Sequence, residues 1–97
     1  MDVEDIWRRR LTEQYDRLIL RTLERYGYDL KTTLYLLSIG EMKIEKDGFG
    51  ATIFYAHGNP LFSITEKTYQ DFYLGKYITR LRAKDLTNNN YDLRVER

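Results

Sequence analysis

The sequence predicts an α+β fold: a long N-terminal amphipathic helix packed on a small antiparallel sheet, with a second, shorter helix after the meander. Three observations carry this reading. Residues 3–26 hold neither proline nor glycine and place apolar side chains at helical spacing. Beyond residue 40 the apolar period falls to two, and Asp47-Gly48 and Gly58-Asn59-Pro60 punctuate it as turns. The chain has 97 residues, enough for one domain over 1–97, with 85–97 either a flexible tail or a C-terminal strand.

The first helix has Asp2 as its N-cap, Glu4 and Asp5 at the positive end of its dipole, and Gly27 where a C′ residue belongs. At ~1.5 Å per residue it would be roughly 36 Å long, longer than about twice a radius of gyration near 13 Å. One end must overhang the core or meet a partner. Trp7, Leu11, Tyr15, Leu18, Ile19, Thr22 and Tyr26 form its apolar sector. Arg10, Gln14, Arg17, Arg21 and Arg25 fall in a sector about 80° wide beside it, with Glu13, Asp16 and Glu24 opposite the apolar side. Arg8 points toward the apolar sector, with its charged head at the water. Arg17, Arg21 and Arg25 repel one another at i, i+4 spacing. The stripe therefore faces solvent with neighbouring acids, a phosphate backbone, or an acidic protein surface.

Residues 28–40 read as a short helix capped by Asp29, with Leu30, Leu34 and Leu37 on one face. Thr32, Thr33 and Tyr35 would also suit a strand, but Gly27-Tyr28-Asp29 has the order stop, link, start. Met42 and Ile44 begin a strand that enters a hairpin at Asp47-Gly48, and Ala51–His57 returns. Leu61–Ile64 forms a third strand after the turn at Gly58-Asn59-Pro60. Ser63-Ile64-Thr65-Glu66 has capping-box spacing, so a helix is expected there, with Tyr69, Phe72 and Tyr73 on one face. Leu74, Tyr77, Ile78 and Leu81 lie roughly 130° away on the same wheel, which places a break at Gly75. After it, residues 77–82 and Tyr91, Leu93 and Val95 alternate around an Asn88–Asn90 turn, giving a C-terminal hairpin. A helical segment over 76–84 competes with that strand.

Sixteen Lys and Arg stand against fifteen Asp and Glu, a net charge of +1, which argues against a generic polyanion binder. The sum hides local sorting: residues 65–97 hold seven bases against five acids. Cysteine is absent and His57 is the only histidine, so thiolate chemistry and a multi-histidine metal site are excluded. At the end of a strand, His57 reads as a turn or solvent residue. An acid–base role would need a carboxylate within hydrogen-bond reach. Phosphate-loop, nucleophile-elbow and metalloprotease motifs are missing from the sequence, so no enzyme activity, cofactor or metal is expected. No apolar run approaches the ~18 residues of a membrane span, and the acidic start does not resemble a secretory leader. The expected location is the cytoplasm, the host's if the protein is viral.

Two motifs bear on nucleic acid. Asp47–Phe54 resembles part of the RNA-recognition-motif octamer at Gly48, Phe49, Gly50 and Phe54, departing from it at Asp47 and at Ala51, where a stacking aromatic belongs. A glycine-rich hairpin turn accounts for the same residues. Gly27-Tyr28-Asp29, Thr33-Leu34, Leu37 and Ile39-Gly40 resemble the positioning helix and turn of helix-turn-helix proteins. That resemblance implies a recognition helix at Glu41–Lys46 and a wing at 42–57.

The expected function is a small non-enzymatic interaction or assembly module of the viral or mobile-element accessory kind. It would bind another protein through the charge-segregated helix, as a homodimer sharing the apolar sector of residues 3–26. The alternative is a nucleic-acid-binding regulator using Arg10, Gln14, Arg17, Arg21 and Arg25. Lys76, Arg80, Arg82 and Lys84, interleaved with Tyr69, Tyr73 and Tyr77, form a second patch. It fits an acidic partner or a single-stranded nucleic acid, or the basic protection of a sheet edge.

Overall fold

In the computed structural model, which describes residues 2–87, the N-terminal run forms two helices where the sequence suggested one. Helix α1 spans Val3–Thr12 and α2 spans Arg17–Arg25. Asp2 caps α1, accepting the Asp5 N–H at 2.9 Å. The break is built by Asp16, which is buried and caps α2 through the Ile19 N–H at 3.5 Å. Tyr15 takes a left-handed φ of 47° beside it. A straight rod would have outrun the core, whereas two shorter helices bring Trp7, Leu11, Leu18, Ile19 and Leu23 into one interior. Tyr15 is the member of the expected apolar sector left in solvent.

Gly27 does end a helix, that of α2. Its φ is 87°, its N–H meets the Glu24 carbonyl, and the Tyr28 N–H reaches Leu23, a Schellman pair. Asp29 then caps α3 (Leu30–Ser38), accepting the Thr32 N–H at 2.7 Å. This hydrogen bond, helped by the Thr32 hydroxyl and the nearby Lys31 charge, holds the Asp29 carboxyl below its ordinary value. Helix α3 buries Thr33, Leu36 and Leu37, while Leu30 and Leu34 pack half-buried at its margin.

Four strands follow in an antiparallel meander of order β1-β2-β3-β4: β1 Met42–Lys46, β2 Thr52–Ala56, β3 Asn59–Asp71 and β4 Lys76–Asp85. The first hairpin turns where expected, with Asp47 Oδ1 accepting the N–H groups of Phe49 and Ala51. The second turn is His57-Gly58, with φ of 52° and 81°, the two positive values of a type I′ hairpin. It therefore begins one residue before the expected Gly58-Asn59-Pro60, and Asn59 and Pro60 open β3.

The helix expected from Ser63-x-x-Glu66 does not form. A capping box satisfies two local donors, whereas residues 59–64 pair with β2 and residues 62–71 pair with β4. Alternate burial of Phe62 and Ile64 fixes the period at two. Tyr69 thus sits in a strand, and Phe72 and Tyr73 sit in its turn, not on one helix face. Gly75, at φ 63°, closes that turn. The competing helix at 76–84 is likewise replaced by strand β4. Its partner is β3, from Phe62↔Asp85 to Asp71↔Lys76. The expected turn at Asn88–Asn90 and strand at Tyr91–Val95 lie outside the described residues. The result is α+β, but all three helices precede the strands and no helix follows the meander among the described residues.

The core lies between the helices and the sheet face carrying Met42, Ile44, Phe54, Phe62 and Ile64. Phe54 stacks on Phe62 at 4.6 Å and meets the Trp7 edge at 5.4 Å, and Tyr26 stacks on Phe62 from α2. Beyond Glu66 and Leu81, β3 and β4 leave this core as a two-stranded arm. It lies on a molecule whose longest extent is 45 Å against 31 and 26 Å.

Candidate functional site

The break in the N-terminal run takes Arg10 and Gln14 out of the arginine stripe and leaves Arg17, Arg21 and Arg25 in a row on α2. Arg10, on α1, turns inward: its Nη2 donates to Asp16 Oδ2 at 3.1 Å, its Nη1 donates to Glu66 on β3, and its guanidinium lies 4.2 Å over the Trp7 ring. It is a structural clamp. Gln14 is exposed in the link between α1 and α2, and Arg17, Arg21 and Arg25 lie exposed on α2. Glu13 and Arg17 no longer share a helix. Arg8 is half-buried, as expected, and pairs with Glu4 at 3.2 Å. The apolar sector expected to be shared between two chains is buried within one: Trp7, Leu11, Leu18, Ile19 and Thr22 are all interior.

The second patch comes together instead. Side chains alternate across a sheet, and the register places Lys76, Arg80, Arg82 and Lys84 of β4 on the face opposite the core. Lys67, Tyr69 and Asp71 of β3, Ile53 and Tyr55 of β2, and Lys43 and Glu45 of β1 share that face. Among the described residues, six cations therefore stand there against the two carboxylates Glu45 and Asp71. Asp71 is also engaged locally, its Oδ1 accepting the Tyr73 and Leu74 N–H groups. Lys67 is placed directly opposite Arg80, a like-charge pair that a sheet avoids on stability grounds alone. No helix covers this open face among the described residues.

Aromatic rings accompany the charge. Tyr69 is 47 % exposed with the Arg80 guanidinium 5.7 Å from its ring centre, and Tyr55 is half-buried. At the arm, Phe72 is 84 % and Tyr77 73 % exposed, and Tyr73 and Leu74 are exposed too. Strand β4 is an edge strand, the position that edge protection requires. Lys67 lies past the last β2 partner of β3, Ile64, where both strands of the arm are edges, so edge protection accounts for its charge but not for its place opposite Arg80. Sequence reasoning missed Lys43, Lys67 and Tyr55. The signal for Lys67 was the period-two pattern from Phe62 onward, masked by the capping-box spacing.

Other features are less selective. His57 Nδ1 lies 3.2 Å from Glu41 Oε2, so a carboxylate is within reach, but both side chains are more than half exposed. The pair ties the β2–β3 turn to the residue before β1, alongside the His57 N–H donated to the Glu41 carbonyl at 2.7 Å. A trough of about 710 Å³ beside β1 mixes Asp2 and Glu4 with Lys43 and Lys46 and so has no preferred sign of charge. Glu41–Lys46, where a recognition helix would stand, is mainly strand β1, and Asp47–Ala51 is a hairpin turn with Phe49 in solvent. Among the described residues no three His, Asp or Glu side chains are grouped to hold a metal ion. No helix among them is long and apolar enough to cross a membrane.

No protein-family model matches the chain, and neither does any curated protein or solved structure.

Proposed function

We propose that this protein is a non-enzymatic binding module that takes an anionic macromolecule on the open face of its sheet and along the β3–β4 arm. The observation that carries this is the sorting of charge. In a chain with a net charge of +1, the described residues place six cations and two carboxylates on one face that none of their helices covers. An anion laid across Lys67 and Arg80 would meet both cations at once. This moves the expected docking surface from the N-terminal helix to the sheet, and with it the reading of the protein as an interaction module.

The test compares two double variants that change net charge equally. Arg80→Glu with Arg82→Glu alters the open face, and Arg17→Glu with Arg21→Glu alters α2. Wild-type protein is expected to be retained on immobilised heparin at low salt and released as salt rises. The β4 variant is expected to flow through and the α2 variant to behave as wild type. Retention that survives the β4 changes, or is lost only with the α2 changes, overturns the assignment.

A further inference from the structure

We infer that the anionic partner is a single-stranded nucleic acid, an inference that rests on the binding reading above and adds the chemistry of the partner to it. Alternate residues on one face of a strand lie about 6.7 Å apart. Arg80, Arg82 and Lys84 therefore make a cationic row along β4, with Lys67 across from Arg80. A row at that rhythm follows a chain of regularly spaced phosphates more naturally than the irregular carboxylates of a folded acidic protein.

The rings decide between polyanions. Tyr69 and Tyr55 share the face with the cations, and Tyr69 is roughly half open beside Arg80. Heparin or a carboxylate polymer would use the cations and leave the rings idle. A nucleic-acid strand uses both, with phosphates on the Lys and Arg side chains and bases stacked on tyrosine. In a duplex the bases already stack on one another, so the rings gain little from it. The near-neutral total charge means that the affinity must come from this local match and not from long-range attraction.

The experiment is fluorescence anisotropy at low salt on the full chain. Labelled oligo-dT and oligo-rU of about 16 nucleotides are compared with a duplex of the same length, with polyglutamate as competitor. The single strands are expected to bind more tightly than the duplex and to resist polyglutamate. Tyr69→Ala is expected to weaken single-strand binding about tenfold while leaving heparin retention unchanged. Tyr69→Phe, which keeps the ring, is expected to restore binding. Tyr69 lies on the arm outside the core, and circular dichroism checks that the variant folds. If Tyr69→Ala and Tyr55→Ala bind single strands as wild type does, or polyglutamate competes equally, the nucleic-acid inference falls and the anionic-partner reading stands. A preference for duplex overturns the inference in the same way. Failure to bind heparin as well overturns both readings.

Discussion

Arg10 shows how far a residue's neighbours can redirect it. On a helical wheel it heads a basic stripe, yet in the fold its guanidinium joins α1, the start of α2 and β3 through Trp7, Asp16 and Glu66. Asp16 is the other half of this arrangement, since one buried carboxylate both caps α2 and receives Arg10. Replacing it with alanine removes the cap and leaves a mostly buried guanidinium short of a partner. Asp16→Ala is therefore expected to lower stability by about 2–4 kcal/mol, read from urea unfolding. Asp16→Asn retains a capping oxygen and should lose less. Equal losses for the two would show that charge, not capping, dominates at this position.

At the scale of elements, the arm is the part that the fold needs least. Core packing on β3 and β4 ends at Ile64 and Leu81, and the residues beyond are held by the ladder and by a Thr68–Thr79 hydroxyl pair. The Leu86 N–H bonds to the Leu61 carbonyl, which places Lys67 and Arg80 in the hydrogen-bonded series of pairs. A two-residue turn can follow such a pair. Replacing residues 68–79 with an Asn-Gly turn is expected to leave thermal unfolding cooperative and its midpoint within about 4 °C of wild type. The same change should abolish nucleic-acid binding, because Tyr69 and the turn aromatics go with it. A collapse of the folded state would show instead that the arm contributes to the core.

For the whole molecule, the division of surfaces is the main result: helices and core on one side of the sheet, sorted charge on the other. Leu18, 6 % exposed, lies inside a single chain's core. Leu18→Asp is accordingly expected to unfold the protein by about 3–5 kcal/mol, seen by circular dichroism at every concentration. Light scattering that showed a folded monomer replacing a dimer would restore the shared-helix reading. By itself the sequence determined the caps and turns at Asp2, Gly27, Asp29 and Asp47-Gly48, together with the α+β class. Each of those depends on a left-handed φ or on a donor a few residues away, and such requirements are written locally. Only the tertiary structure decided that residues 13–16 break the first helix and that Ser63–Asp71 is a strand. At Ser63–Asp71 local helical signals were outweighed by pairing with β2 and β4, and at the break the Asp16 cap is held in place by Arg10 folded back from α1. The candidate surface divides in the same way. Lys76, Arg80, Arg82 and Lys84 were legible as a patch along the chain. Their union with Lys43, Lys67 and Tyr55 came from strand register, which is set by pairing across the sheet.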